Sequence, residues 1–260
     1  MTTRSLPLLC VALLAAAPTQ NLAISEAITA NALTTTPQSP SPASWPLREA
    51  FYSRVLGTGQ TQLTAMLALQ PDLVSVEFGV NEVLGARSGL VAPGLTIVPI
   101  AAWQPVYDQL VAGVKAEGAK VLLVGLLSNV TNFPSLRRGA ELDANRSELA
   151  EYGILVNADC AGSGSENLVY VPAKVVGAYA AVMAGQPSVT LSCADVPGTQ
   201  DYVLTTSDVG ALEAQLVAMN THVRGSIQRD DAADIGRAIR PVHLARWRSS
   251  ECSRPPCPRS

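Results

Sequence analysis

Aromatic residues are scarce in this 260-residue chain: Phe, Trp and Tyr together make up 5% of it, and only two histidines occur. Any imidazole chemistry therefore falls to His222 or His243. Basic charge is also short. Lys and Arg number 18 against 21 Asp and Glu, giving a net charge of −3 and a pI near 5.4. The chain has no basic footprint, which excludes nucleic acid as a partner. No Cys-x-x-Cys occurs, and no motif calls for a metal or a cofactor. Beyond the N-terminus no stretch reaches the roughly 18 apolar residues of a membrane span, so stable membrane insertion is not expected. There is no internal repeat. With 48% apolar and 15% charged residues, the chain is too apolar for a disordered tail and can bury a core.

Residues 1–17 have the layout of an export signal. Arg4 supplies the positive region, and the apolar run Leu6–Ala17 ends in three alanines. A secreted or periplasmic location follows from that pattern, the alternative being a buried element at the start of the fold. Five cysteines occur. Cys10 lies in the signal-like run, and Cys252 and Cys257 lie in an Arg/Pro/Ser-rich tail over 233–260. Cys160 and Cys193 sit in polar loop contexts. In an exported protein they are the natural disulfide pair; otherwise they are two buried thiols.

Between these ends, 18–232 reads as one α/β domain. Asn21–Ile24 is a short strand candidate. Gly57-Thr58-Gly59 lacks the strand and third glycine of a phosphate loop and reads as a turn before a helix over Gln60–Leu69. Leu73–Phe78 is a strand. Trp103, Val106, Tyr107, Leu110, Val111 and Val114 share one face of an amphipathic helix, which Gly118 ends. Lys120–Leu127 then has the continuous apolar character of a strand buried on both faces. Strand, helix, strand in this order is a right-handed βαβ unit and implies a parallel sheet. Gly139–Tyr152 is expected to hold a short helix and Leu168–Val171 a strand. Ser207 is placed to cap a long helix striped by Val209, Leu212, Leu216, Met219, Val223 and Ile227.

In open α/β sheets, ligands bind at the carboxyl ends of strands. The strand Leu73–Phe78 runs into Gly79-Val80-Asn81-Glu82, and Gln70-Pro71-Asp72 precedes it. This resembles the third conserved block of the SGNH/GDSL esterase–lipase family, a strand followed by Gly-x-Asn-Asp. Preceding helix, following helix and next strand come in the family's order, and the resemblance spans roughly 21–228. It implies a three-layer α/β/α, flavodoxin-like parallel sheet, incomplete here, and a small-molecule ester or lipid-like substrate. It also implies that Asn81 donates to the oxyanion of a tetrahedral intermediate while Gly79 lets the backbone turn beside it. Glu82 stands where the family has Asp; the extra methylene leaves Asn81 intact but bears on its orientation.

Three other family blocks are not found. No Gly-Asp-Ser supplies a nucleophile. The loop Ser25-Glu26-Ala27 places Glu26 where an oxyanion-hole glycine is expected, and Ser25 reads as a loop serine. No Asp-x-x-His supplies a base: Arg240 stands three residues before His243, and His222 reads as a surface residue of the long helix. The expectation is a serine ester hydrolase by descent, impaired or inactive as the chain stands, with nucleophile and base unknown. A catalytically dead ligand-binding relative and a truncated, non-functional product remain as alternatives.

Overall fold

The computed structural model describes residues 21–39 and 48–231. The signal-like segment 1–17, the tail 233–260, Cys10, Cys252, Cys257 and His243 lie outside the described residues. Helix and strand are mixed, 47% and 13%, an α/β composition with small parallel sheets.

Asn21–Ile24 forms no strand; it leads through a turn into helix α1, Thr29–Thr34. Helix α2 spans Arg48–Val55 and α3 spans Gln62–Ala68. Thr61 caps α3, its hydroxyl accepting the Thr64 amide at 3.2 Å, as the turn at Gly57–Gly59 anticipates.

Strand β1 is Leu73–Val76, helix α4 is Ile100–Lys115 and strand β2 is Lys120–Leu123. β1 and β2 pair in parallel, Leu73 opposite Lys120 and Val76 opposite Leu123, as the strand–helix–strand order predicts. Helix α4 buries Trp103, Tyr107, Leu110, Val111 and Val114, the face that the 3.6-residue period marks out. Gly118 adopts φ 80° and its amide bonds back to the Lys115 carbonyl, closing the helix.

The sheet is less buried than the apolar run of β2 suggests. Val74, Val76, Val121 and Leu123 pack into the core, whereas Leu73, Ser75, Lys120 and Leu122 on the other face are exposed. Among the described residues β1 and β2 have no third strand beside them. A run of apolar residues signals a two-sided strand only when layers exist to cover both sides.

The strands thus fall into three small sheets, not one. Strand β3, Leu136–Arg138, leads into helices α5, Gly139–Ala144, and α6, Arg146–Glu151, where one helix was expected. Strand β4 is Ile154–Val156 and β5 is Leu168–Tyr170. Helix α7 is Val171–Met183, strand β6 is Val189–Leu191, strand β7 is Val203–Leu204 and helix α8 is Thr206–Asp231. β4 and β6 pair in parallel, while β3, β5 and β7 form an antiparallel sheet. The expected strand at Leu168 exists but is not part of a parallel array.

Helix α8 is capped by Thr205, two residues before Ser207. Thr205 and Asp208 exchange hydrogen bonds, the Asp208 amide to the Thr205 hydroxyl at 3.2 Å and the Thr205 amide to the Asp208 carboxylate at 2.9 Å. Leu212, Leu216, Met219 and Val223 of α8 join the α4 face in the main core, and Ile227 at the end of the stripe is exposed. On the same helix, buried Asn220 accepts the Leu126 amide at 2.7 Å and donates to the Leu126 carbonyl at 3.0 Å. One side-chain amide thus does for the chain after β2 what a neighbouring strand would do.

Cys160 and Cys193 are joined in a disulfide with Cα atoms 4.9 Å apart. Both are fully buried, in a second core with Ile154, Val156, Val169, Leu191 and Val203. Asp159 secures the bridge: its carboxylate accepts the Cys193 amide at 2.9 Å and the Ser192 hydroxyl at 2.7 Å.

Candidate functional site at the end of β1

The backbone leaves β1 through Gly79, whose φ of 135° suits glycine alone. A Cβ there would also lie 2.5 Å from a methyl of Leu126. Gly79 therefore performs the turning role expected of it, and brings Asn81 and Glu82 back towards the segment 25–29.

Asn81 meets that segment directly. Its Nδ2 donates to the Ala27 carbonyl at 2.7 Å, across 54 residues of chain. The sequence positions Asn81 as a donor to a reacting oxygen; the structure gives one of its two amide hydrogens to a fixed backbone carbonyl. Beside Ala27, Glu26 is held at φ 61°, a left-handed conformation that glycine takes without strain and glutamate does not. The local backbone therefore has the shape a glycine would favour, with a carboxylate attached. That carboxylate pairs with Arg87 at 2.8 Å, and the Arg87 guanidinium lies 5.4 Å from the centre of the Tyr170 ring.

Glu82 turns inward. Its Oε1 accepts the Thr29 amide at 2.6 Å and also the Thr29 hydroxyl, while Thr29 Oγ1 accepts from Trp103 Nε1 at 2.8 Å. Its own backbone carbonyl accepts the Val98 amide at 2.8 Å. The longer side chain at this position thus ties β1, α1 and α4 together. Burial pushes the Glu82 carboxyl above its ordinary range, opposed by the hydrogen bonds from Thr29. Thr29 and Trp103 in this role escape sequence reasoning. The only sequence signal was an acid after Asn81, and its partner is the first threonine of the short helix α1, with no periodic mark.

The candidate nucleophile and base are not brought together. Ser25 is exposed and has no hydrogen bond to a base among the described residues. His222 is not the surface residue expected. Its side chain is 10% exposed, its Nε2 is 2.8 Å from Asp108 Oδ1, and its ring packs edge-on to Trp103 and Tyr107 at centroid distances of 5.7 and 6.2 Å. An imidazole walled by two aromatic rings, with one nitrogen on a carboxylate, is a packed helix–helix contact. Its position resembles a base oriented by an acid, and the hydroxyl of Ser226, one turn further along α8, donates to the His222 backbone carbonyl at 3.0 Å.

Asp159, Cys160 and Cys193 cluster closely enough to hold an ion, but the two sulfurs are bonded to one another and the carboxylate serves Cys193 and Ser192. A shallow cavity of about 280 Å³ is lined by Met66, Gln70, Asp72, Val114 and Ala119. It lies at the start of β1 and β2, the opposite end from Asn81. No helix among the described residues is long and apolar enough to cross a membrane. Comparison of the chain with models of known protein families, with curated proteins and with solved structures finds no match.

Proposed function

We propose that this chain is an SGNH-like hydrolase domain by descent, of the three-layer flavodoxin-like kind, in which ester hydrolysis is lost or strongly reduced. The observation that carries the reading is the convergence at the end of β1. Asn81 reaches Ala27 at 2.7 Å, and the adjacent Glu26 occupies a glycine-like backbone conformation. An amide side chain next to a backbone turn supports a reading of these segments as two oxyanion-hole loops. The loss of function rests on what faces it. Glu26 stands where the family has a glycine and brings a carboxylate, paired with Arg87, to this turn, and among the described residues no hydrogen bond joins Ser25 to His222.

A small ester or lipid-like acyl group is the substrate class this cleft would have served. A secreted or periplasmic location is part of the same proposal, supported by the buried Cys160–Cys193 bridge, since disulfides persist in oxidising compartments. The test is covalent labelling. A fluorophosphonate probe should label no serine in the purified chain; stoichiometric labelling at Ser25 or any other single serine would contradict the proposal.

The open face of the β1–β2 sheet favours a second reading, a domain whose sheet is incomplete and whose fold is correspondingly weak. Leu73 and Leu122 are exposed there, although strands of a doubly wound sheet are covered on both sides. A low, weakly cooperative unfolding transition would favour that reading over a stable but inactive domain.

A further inference from the structure

Four residues from distant parts of the chain meet beside the Asn81 turn. Glu26 stands just before Ala27, the residue that Asn81 holds, and pairs at 2.8 Å with Arg87 of the short 3-10 turn Leu84–Ser88. The Arg87 guanidinium lies 5.4 Å from the centre of the Tyr170 ring, at the end of β5. The Tyr170 ring lies 6.3 Å from that of Tyr202, with 33° between their planes. The two tyrosines continue the β5–β7 ladder as a cross-strand pair, the Tyr170 amide donating to the Tyr202 carbonyl at 2.9 Å. Tyr202 is 38% exposed, and Glu26, Arg87 and Tyr170 are half-buried.

This surface is fixed, and its backbone is strained. Among the described residues three that are not glycine have a left-handed φ, and two of them are here: Glu26 at 61° and Tyr202 at 65°. Neither residue type takes that conformation readily, and such strain gathers at ligand sites. Asp201 clamps the loop that carries Tyr202, its carboxylate accepting the Val196 amide at 2.7 Å and the Val203 amide at 2.9 Å. The Tyr202 amide donates to the Ser88 carbonyl at 2.7 Å, which ties Tyr202 to the turn that carries Arg87. Gly89 makes that approach possible, since a Cβ there would lie 2.8 Å from the Tyr202 nitrogen.

We infer that Tyr170, Tyr202, Arg87 and Glu26 form a saccharide-binding subsite, with a pyranose ring laid against the Tyr202 ring. The chemistry of the four side chains selects this ligand class. A pyranose has an apolar face of C–H groups and a rim of hydroxyls, which suits an aromatic ring beside planar polar groups. Arg87 carries five N–H donors in a fixed fork, and its bond to Glu26 uses one of them. Guanidinium and carboxylate neutralise each other, so the cluster presents no net charge to draw an ionic ligand. A lipid tail fits less well, because it would cover the ion pair and return no hydrogen bond. The inference does not rest on ester hydrolysis: a sugar can occupy these side chains whether or not a serine reacts beside them.

The test is saturation-transfer difference NMR on the full chain with its disulfide intact, with cellotriose, xylotriose and chitotriose as probes. Ring C–H protons of at least one probe should receive saturation, with a dissociation constant on the order of 1 mM, the affinity of a shallow site with few contacts. Tyr202→Ala and Arg87→Gln, each with the wild-type circular dichroism, should weaken that binding about tenfold or more, while Tyr202→Trp should keep it. Absence of transfer to all three probes would overturn the inference, as would binding that Tyr202→Ala and Arg87→Gln both leave unchanged. The readout is occupancy, so serine labelling by a fluorophosphonate, which would contradict the proposed loss of hydrolysis, leaves this inference standing.

Discussion

The amide of Asn81 is fixed to the carbonyl of Ala27 at 2.7 Å, so the residue proposed as an oxyanion donor is also a structural tie between the end of β1 and the segment before α1. A donor that holds the fold cannot be removed without cost, whatever its chemical past. Asn81→Ala should therefore lower stability by about 1 kcal/mol, the usual value of one such hydrogen bond. Asn81→Asp should cost more, roughly 2 kcal/mol, because a carboxylate cannot donate and would face the Ala27 oxygen. Urea unfolding checks both; an Asp variant as stable as the wild type would mean that the bond contributes nothing.

Glu82 gives the protein a pH dependence of predictable sign. Burial raises its pKa in the folded protein above the ordinary value of 4.5. The folded state then holds the proton more tightly than the unfolded chain, so stability falls as pH rises from 4.5 through the folded-state pKa. Glu82→Gln keeps an acceptor for Thr29 and cannot ionise. Its stability relative to wild type should improve as pH rises from 4.5 through the raised folded-state pKa and level off above it. A difference that is flat or moves the other way would show that the Thr29 hydrogen bonds outweigh burial.

The Cys160–Cys193 bridge closes a loop of 33 residues and crosses the smaller core. Replacing both cysteines by alanine should cost about 2–4 kcal/mol. Hydrogen exchange should show the loss concentrated in β4 and β6, whose sheet has only those two strands, with α4 and α8 less affected. Equal loss of protection in both cores would mean that the two unfold as one unit.

The elements legible in the sequence were those with a long period. Helix α4 and the stripe of α8 up to Val223 bury most of the residues that the 3.6-residue spacing marks, and β1 and β2 pair in parallel because a helix separates them. β5 was readable as a strand, but its partners β3 and β7, of three and two residues, are too short to show a period, so the antiparallel sheet was invisible. His222 was misread for a related reason. Its neighbours Thr221 and Arg224 are polar, but its carboxylate partner Asp108 is 114 residues away and the rings that wall it belong to α4. Asn220 was hidden in the same way: a lone amide within an apolar stripe, it has its partner at Leu126, on an irregular segment. At the site, Asn81 and Gly79 could be read from local pattern. Thr29 could not, because its role depends only on where Glu82 points.

Turnover is the most direct test of the account. The full chain, with its disulfide intact, should hydrolyse p-nitrophenyl acetate and butyrate no faster than a protein-free control, and Ser25→Ala, His222→Ala and Asn81→Ala should not change that rate. Losing the nucleophile or base of a serine hydrolase costs on the order of 10⁴–10⁶ in rate, far beyond what one remaining oxyanion donor recovers. Turnover at ordinary esterase rates, abolished by Ser25→Ala and lowered about 10²-fold or more by Asn81→Ala, would contradict the account and place a working active site at the end of β1.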